Sequence, residues 1–137
     1  MNFVFLYKLF VIMENRIIFY YQTFTTLQPL LKKDTLVTHI HLSSTHFGYD
    51  IDNKPYIHLN DDLPTANKFI HVWKELEEAN RLGINVILML GGAGGAFNKL
   101  LSNFNVFYLL LVDTIKTYPF IKGIDFSIFV LELKEPR

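Results

Sequence analysis

The sequence contains no cysteine, and its 13 basic residues are balanced by 13 acidic ones. The lack of cysteine excludes disulfide scaffolds, thiolate zinc sites and cysteine nucleophiles, although it does not fix the compartment. The balanced charge leaves no basic stripe of the kind that binds nucleic acid. Nucleic acid is therefore not an expected partner.

A long uninterrupted apolar run is also missing. The first twelve residues, "MNFVFLYKLFVI", lack the cationic start and cleavage site of a signal peptide and are shorter than the roughly 20 apolar residues of a spanning helix. We predict that residues 1–12 are an apolar extension, with a short membrane-interacting segment as the alternative. Half of the chain is apolar, so residues 13–137 can form the core of one domain.

The rest of the chain alternates between strand-like and helix-like segments. Runs of β-branched and aromatic residues with the length of strands occur at 16–24, 35–44, 84–90 and 120–130. Apolar spacing predicts one helix ending at Gly83 and a second over residues 96–117, while residues 45–65 are typical of a loop or small hairpin. This α/β order predicts parallel strands, in an open doubly wound sheet or in the first half of a β/α barrel.

The third predicted strand is followed directly by "GGAGG". Small residues at this place could cradle a phosphate at a helix N-terminus. However, neither GxGxxG with a downstream acid nor GxxxxGK followed by Ser or Thr occurs, so a tight turn is favoured. A small nucleotide-binding doubly wound domain stays as an alternative.

Four segments, "IIFYYQTF", "VTHIHLSSTHFG", "VILMLGGAGGAF" and "FIKGIDFSIF", together resemble family 18 glycoside hydrolases, the chitinase-like barrels. The resemblance implies the first half, about four β/α units, of a TIM-type (β/α)8 barrel. In that family strand three ends in an SxGG motif, and Met89–Gly92 stands at its place. The resemblance therefore implies that Gly91 and Gly92 bind substrate, together with Tyr20 of the first strand.

Strand four of that family carries the motif DGxDxDxE, whose acids alternate because residues two apart on a strand share a face. The glutamate protonates the glycosidic oxygen, and the aspartate two residues earlier orients the substrate's own N-acetyl group as the nucleophile. With Gly123 on the motif glycine, Lys122 stands at the first acid and Asp125 is the only acid retained. Ser127 and Phe129 occupy the other two key positions.

Two glutamates further along do not restore the missing acid. Glu132 points to the opposite face of the strand, and Glu135 lies about 20 Å from position 129. The resemblance implies a chitinase-like protein of carbohydrate metabolism that is catalytically inactive as written. An N-acetylglucosamine-containing polysaccharide is the implied ligand, and no cofactor is implied. A non-catalytic chitin-binding protein is the second alternative.

A barrel of this family needs eight strands, and four are predicted here. A half-barrel leaves the first and fourth predicted strands as unpaired edges and exposes an apolar interior. We therefore expect a truncated domain that self-associates or pairs with a separate second half-barrel, unless the sequence is a frameshifted fragment or incomplete.

Histidines gather around the second predicted strand, with His39 and His41 at alternate positions and His46 five residues on. Two imidazoles on one face could hold zinc. No third ligand follows at a fixed spacing, so we predict core or loop histidines and no metal.

Overall fold

The computed structural model describes residues 15–91 and 96–127. The strands are β1 (Ile18–Tyr21), β2 (His39–Tyr49), β3 (Pro55–Leu59), β4 (Asn85–Gly91) and β5 (Ile121–Ser127). The α-helices are α1 (Ile70–Arg81), α2 (Ala96–Ser102) and α3 (Phe104–Thr117), with 3-10 turns at Gln28–Leu30 and Asn67–Phe69. Within these described residues, no helix has the length and apolar character needed to cross a membrane.

The parallel strands lie side by side in the order β1-β2-β4-β5, and β3 pairs antiparallel with β2. A doubly wound sheet reverses its strand order at a switch point, and this sheet has no such reversal in its described strands. Each parallel strand follows its predecessor around the sheet, as in a β/α barrel, and the strands of the described residues do not close into a complete barrel. The predicted fold, a partial barrel, is confirmed.

One face of the sheet is buried under the helices. Ile40, Leu42 and Leu88 are no more than 1% exposed, and they belong to the same apolar cluster as Val72 of α1 and Phe107 of α3. Burial of apolar surface on this face is the main stabilising contribution to the fold. We call the other side of the sheet the concave face; it carries the polar side chains described below.

Helix α1 agrees with its sequence prediction. Its buried side chains recur at helical spacing, and Gly83, which follows it, has a φ of 85° that favours glycine. Trp73 stacks on Tyr118, at the end of α3, with ring centroids 3.6 Å apart. The Trp73 Nε1–H and the Tyr118 hydroxyl both donate to the Pro64 carbonyl, at 2.7 and 3.1 Å. This stack joins α1 to α3.

The prediction of a single helix over residues 96–117 is wrong. The helix breaks at Asn103, whose φ of −146° and ψ of 62° are not helical, and α2 and α3 are separate. Asparagine favours such a position because its side chain competes for hydrogen bonds outside the helix. Here the Asn103 amide donates to the Tyr49 hydroxyl at 3.1 Å, which ties the break to β2.

Strand β2 is longer than predicted and contains a bulge. Leu42 pairs with Leu88 and Thr45 with Leu90, so three steps along β2 match two steps along β4. The extra residue keeps Leu42 and Thr45 on the same face, as their partners are. It also places His46 on the concave face. Residues 45–65 were predicted as a loop or small hairpin. Within this segment residues 45–49 continue β2 and pair antiparallel with β3, so it contains a hairpin.

Glu75 of α1 anchors the loop that follows β1. Its carboxylate accepts the Thr26 hydroxyl at 2.6 Å, the buried Leu27 N–H at 2.9 Å and the Tyr21 hydroxyl at 3.4 Å. Burial alone would raise the pKa of Glu75, but the hydrogen bonds outweigh it and the pKa is lowered. Burial, and then the Glu75 charge, raises the pKa of Tyr21, so this hydroxyl stays a donor.

Replacing Glu75 by alanine would leave these donors without their acceptor. We expect E75A to lower the free energy of unfolding by about 2 kcal/mol at pH 7, measured by urea denaturation. Because the folded-state pKa is depressed, this contribution is present above the unfolded pKa and is lost as the pH falls through the folded value. The two stability curves should therefore converge in acid. The exposed Glu78 gives the matched control E78A, and equal effects of the two substitutions would contradict the anchor.

Candidate functional site

A group of polar side chains occupies the concave face near the middle of the parallel strands. Asp125 of β5 lies with its Oδ2 2.9 Å from the Nδ1 of His41 and 3.4 Å from the Tyr20 hydroxyl, which donates to it. The Tyr20 ring meets the His41 ring edge-on, with centroids 5.1 Å apart. Three strands thus contribute one side chain each to a single hydrogen-bonded cluster, named here the Asp125 cluster.

Strand register brings this cluster together. Tyr20 pairs with His41 across β1 and β2, and His41 pairs with Ile87 of β4. Asp125 is one level higher, two residues after Gly123, which is the partner of Ile87. A Cβ on Gly123 would lie 3.2 Å from the Ile87 Cδ1, so glycine at this position allows Ile87 to pack closely against β5.

The Asp125 cluster is partly shielded from water. The side chains of His41 and Asp125 are 10% and 27% exposed, whereas Tyr20 is about half exposed. Partial burial, together with the charge of Asp125 and its hydrogen bond, raises the pKa of Tyr20. The phenol is therefore protonated at neutral pH and can donate to a carboxylate or to a ligand.

A cavity of about 480 Å³ opens on the same face. Asp125 and His41 line it, and toward the amino ends of the strands it is lined by Arg16, His39 and Lys122. The volume is within the range of small-molecule sites. The interior of this half-barrel is therefore largely polar here, which corrects the expectation of an exposed apolar interior.

The structure brings together part of the site predicted from sequence. Asp125 and Tyr20 are in direct contact, and Gly91 ends β4 with a φ of 117°, which favours glycine. Ser127, at the position aligned with the acetamido-orienting acid, pairs with Gly91. Two other predicted positions, Gly92 and Phe129, lie outside the described residues. The functional roles of all these residues stay predictions.

Sequence reasoning did not identify His41 as the partner of Asp125. His41 was grouped with His39 and His46 as a metal alternative, but His46 lies beyond the bulge, opposite His58 of β3. In residues 15–91 and 96–127, no three His, Asp or Glu side chains are placed to hold a metal ion. Alternation along β2 is enough to place His41 on the concave face. Its contact with Asp125 could not be predicted without the register of β4, the strand between them.

Met89 stands where the SxGG motif has its serine. It pairs with Asp125 across β4 and β5 and is 5% exposed. Its sulfur accepts a hydrogen bond from the Ser43 hydroxyl at 3.1 Å. A thioether cannot donate to Asp125, so the donors come from Tyr20 and His41.

The open sheet of parallel β/α units, with its polar cluster on the concave face, defines an incomplete β/α barrel. Two solved structures are similar to it. A chitinase from Aspergillus fumigatus is 30% identical, with a TM-score of 0.73 over 84% of this chain and 44% of its own. A fungal endo-β-N-acetylglucosaminidase from glycosyl hydrolase family 18 is 25% identical, with a TM-score of 0.71 over 83% of this chain and 44% of its own.

No family model matches the sequence, and no curated protein matches it. The structural likeness nonetheless confirms the resemblance seen in the four strand segments: the chain has the fold of the N-terminal half of a family 18 glycoside hydrolase. The chain spans less than half the length of either similar structure.

The Asp125 cluster predicts a linked change in stability and titration. We expect D125N to lower the free energy of unfolding by about 1–2 kcal/mol, because a charged acceptor of two hydrogen bonds is lost. The pKa of Tyr20 should fall toward its ordinary value, because the Asp125 charge no longer raises it. Urea denaturation and NMR of the tyrosine Cζ carbons, assigned with Y20F, measure both effects. D113N, at an exposed carboxylate of α3, is the control, and an unchanged Tyr20 titration in D125N would contradict the contact.

Proposed function

We propose that this protein is a chitinase-like protein of carbohydrate metabolism that binds N-acetylglucosamine chains and does not hydrolyse them by itself. The observation that supports this most is the Asp125 cluster, in which the retained motif acid is held with Tyr20 on the concave face of the partial barrel. Ligands of β/α barrels bind toward the carboxyl ends of the strands, and Asp125 lies one level closer to that end than His41. The two similar structures are those of a chitinase and an endo-β-N-acetylglucosaminidase.

Loss of hydrolysis follows from the chemistry at two aligned positions. The acetamido oxygen attacks the anomeric carbon only when a neighbouring carboxylate orients the group and offsets its developing positive charge, and a serine hydroxyl such as Ser127 lacks that charge. At position 129 a phenylalanine has no proton for the leaving oxygen. General-acid catalysis alone contributes about 10² to 10⁴ in rate, so loss of both groups leaves negligible turnover.

Binding of a sugar requires only hydrogen-bonding groups and space, whereas its hydrolysis also requires a proton donor and an oriented nucleophile. The Tyr20 hydroxyl oxygen can accept from a sugar hydroxyl, the second ring nitrogen of His41 can hydrogen-bond to one, and the Asp125 carboxylate can accept from a hydroxyl or an acetamido N–H. A cavity on the amino-end side of these groups is large enough for a small ligand. The proposal therefore coincides with the alternative of a non-catalytic chitin-binding protein. The nucleotide-binding alternative finds no support in a strand order without a switch point.

The proposal is tested with N-acetylglucosamine oligomers of two to six units. We expect no cleavage products after prolonged incubation, measured by mass spectrometry, and saturable binding measured by calorimetry. D125A should weaken binding at least about tenfold, because a charged hydrogen-bond acceptor is lost. D113A is the matched control. Cleavage by the purified chain would overturn the inactivity, and binding of a dinucleotide without binding of sugar would favour the nucleotide alternative.

We also propose that the open edges of the half-barrel associate, with a second copy or with a separate second half-barrel. Among the described strands, β1 and β5 have one neighbour each, and Ile18, Phe19 and Phe126 are 38–56% exposed. Exposed edges and apolar side chains favour association. Sedimentation should reveal concentration-dependent dimers that F126K weakens and the control L109K on α3 does not. A monomer at all concentrations would contradict this proposal.

A further inference from the structure

The concave face of the β2–β3 hairpin carries an aromatic stack that the Asp125 cluster does not use. The rings of Tyr56 and His58 are stacked, with centroids 3.7 Å apart and an angle of 17° between their planes. Both side chains are partly exposed, whereas their neighbours Ile57 and Leu59, which point to the other face, are buried in the core. The stack is therefore separate from the hydrophobic core.

Gly48 leaves the space that the Tyr56 ring of this stack occupies. It is the cross-strand partner of Tyr56, and a Cβ at Gly48 would lie 2.5 Å from the tyrosine oxygen and 2.6 Å from Cζ. The Tyr56 ring thus lies directly over the glycine backbone, in space that any other residue would fill. Because the Tyr56 ring is held between the Gly48 backbone and the His58 ring, it loses little conformational entropy when a ligand binds.

The hairpin places this stack beside the carboxyl end of β1. The bulge in β2 turns His46, the partner of His58, to the same face as His41. Asn60, just after β3, accepts the Ser44 N–H at 2.8 Å and donates to the Gln22 carbonyl at 3.2 Å. The end of the hairpin is thus hydrogen-bonded to the residue that follows β1, the strand that carries Tyr20.

The stack is electrically neutral near pH 7. Burial lowers the pKa of His46, with His58 adding to the effect, and burial also lowers the pKa of His58, despite opposing contributions from Asp61 and Asp62. Asp61 forms an ion pair with Lys68 at 2.9 Å. Neutral imidazoles offer one donor and one acceptor each. Such a surface suits a neutral ligand that has an apolar face and a rim of hydroxyl groups.

We propose that Tyr56, His58 and His46 form a second sugar subsite, at which one pyranose ring of an N-acetylglucosamine chain packs while another unit of the same chain contacts the Asp125 cluster. The CH face of the sugar lies on the aromatic stack, and the His46 imidazole hydrogen-bonds to a hydroxyl. The subsite rests on the proposed function, since it extends that ligand along the concave face.

The two contacts predict a dependence on ligand length. Calorimetry with N-acetylglucosamine oligomers of two to six units is compared for wild type, Y56L and Y108L. Tyr108 stacks on Phe104 and is about half exposed on α3, so Y108L is a matched loss of an exposed aromatic stack. We expect Y56L to weaken binding of the hexamer by about five- to tenfold and binding of the dimer by less than twofold. Y108L should bind all lengths as wild type does.

NMR of the wild-type protein gives a measurement that needs no variant to fold. The ring signals of His46 and His58 should shift on titration with the hexamer and stay in place with the dimer. If the hexamer binds without shifting them, or if Y56L and Y108L bind it equally, the subsite is overturned and the proposed function stands. If no oligomer binds to wild type, the proposed function and the subsite are both overturned.

Discussion

The extra residue in β2 between Leu42 and Thr45 is the constraint on which both faces of the sheet depend. In a strand without it, every later side chain would point to the opposite face. Phe47, which now meets Phe107 of α3 with ring centroids 5.4 Å apart, would then face the cavity side. Packing of the hairpin on α3 and the position of His46 on the concave face therefore have one cause.

A carboxylate on the wall of a sheet must find partners, because a partly buried charge without hydrogen bonds is costly. Asp125 finds two, from β1 and β2, across the intervening strand β4. Parallel strand register and two donors thus act together, and Asp125 helps to hold the concave face.

Much of the architecture could be predicted from sequence because strand and helix patterns are local. The order of elements, helix α1 and the shared face of Tyr20 and Asp125 follow from spacing and from the family resemblance. The bulge, the break at Asn103 and the His41–Asp125 contact could not be predicted, since each depends on partners distant in sequence. The non-helical conformation of Asn103 is stabilised by a hydrogen bond to the Tyr49 hydroxyl of β2, 54 residues away. No sequence pattern around residue 103 indicates that contact.

Asp125 and Ser127 differ in what the fold requires of them. Asp125 accepts hydrogen bonds from two neighbouring strands, so its loss would leave His41 and Tyr20 without their shared acceptor on the concave wall. The aligned acid at position 127 would serve mainly the substrate, because it acts on the acetamido group. A half-barrel can thus keep the acid at position 125 for structural reasons and lack the one at position 127. On this reasoning, a retained motif aspartate is evidence for the fold, and hydrolysis must be judged at positions 127 and 129.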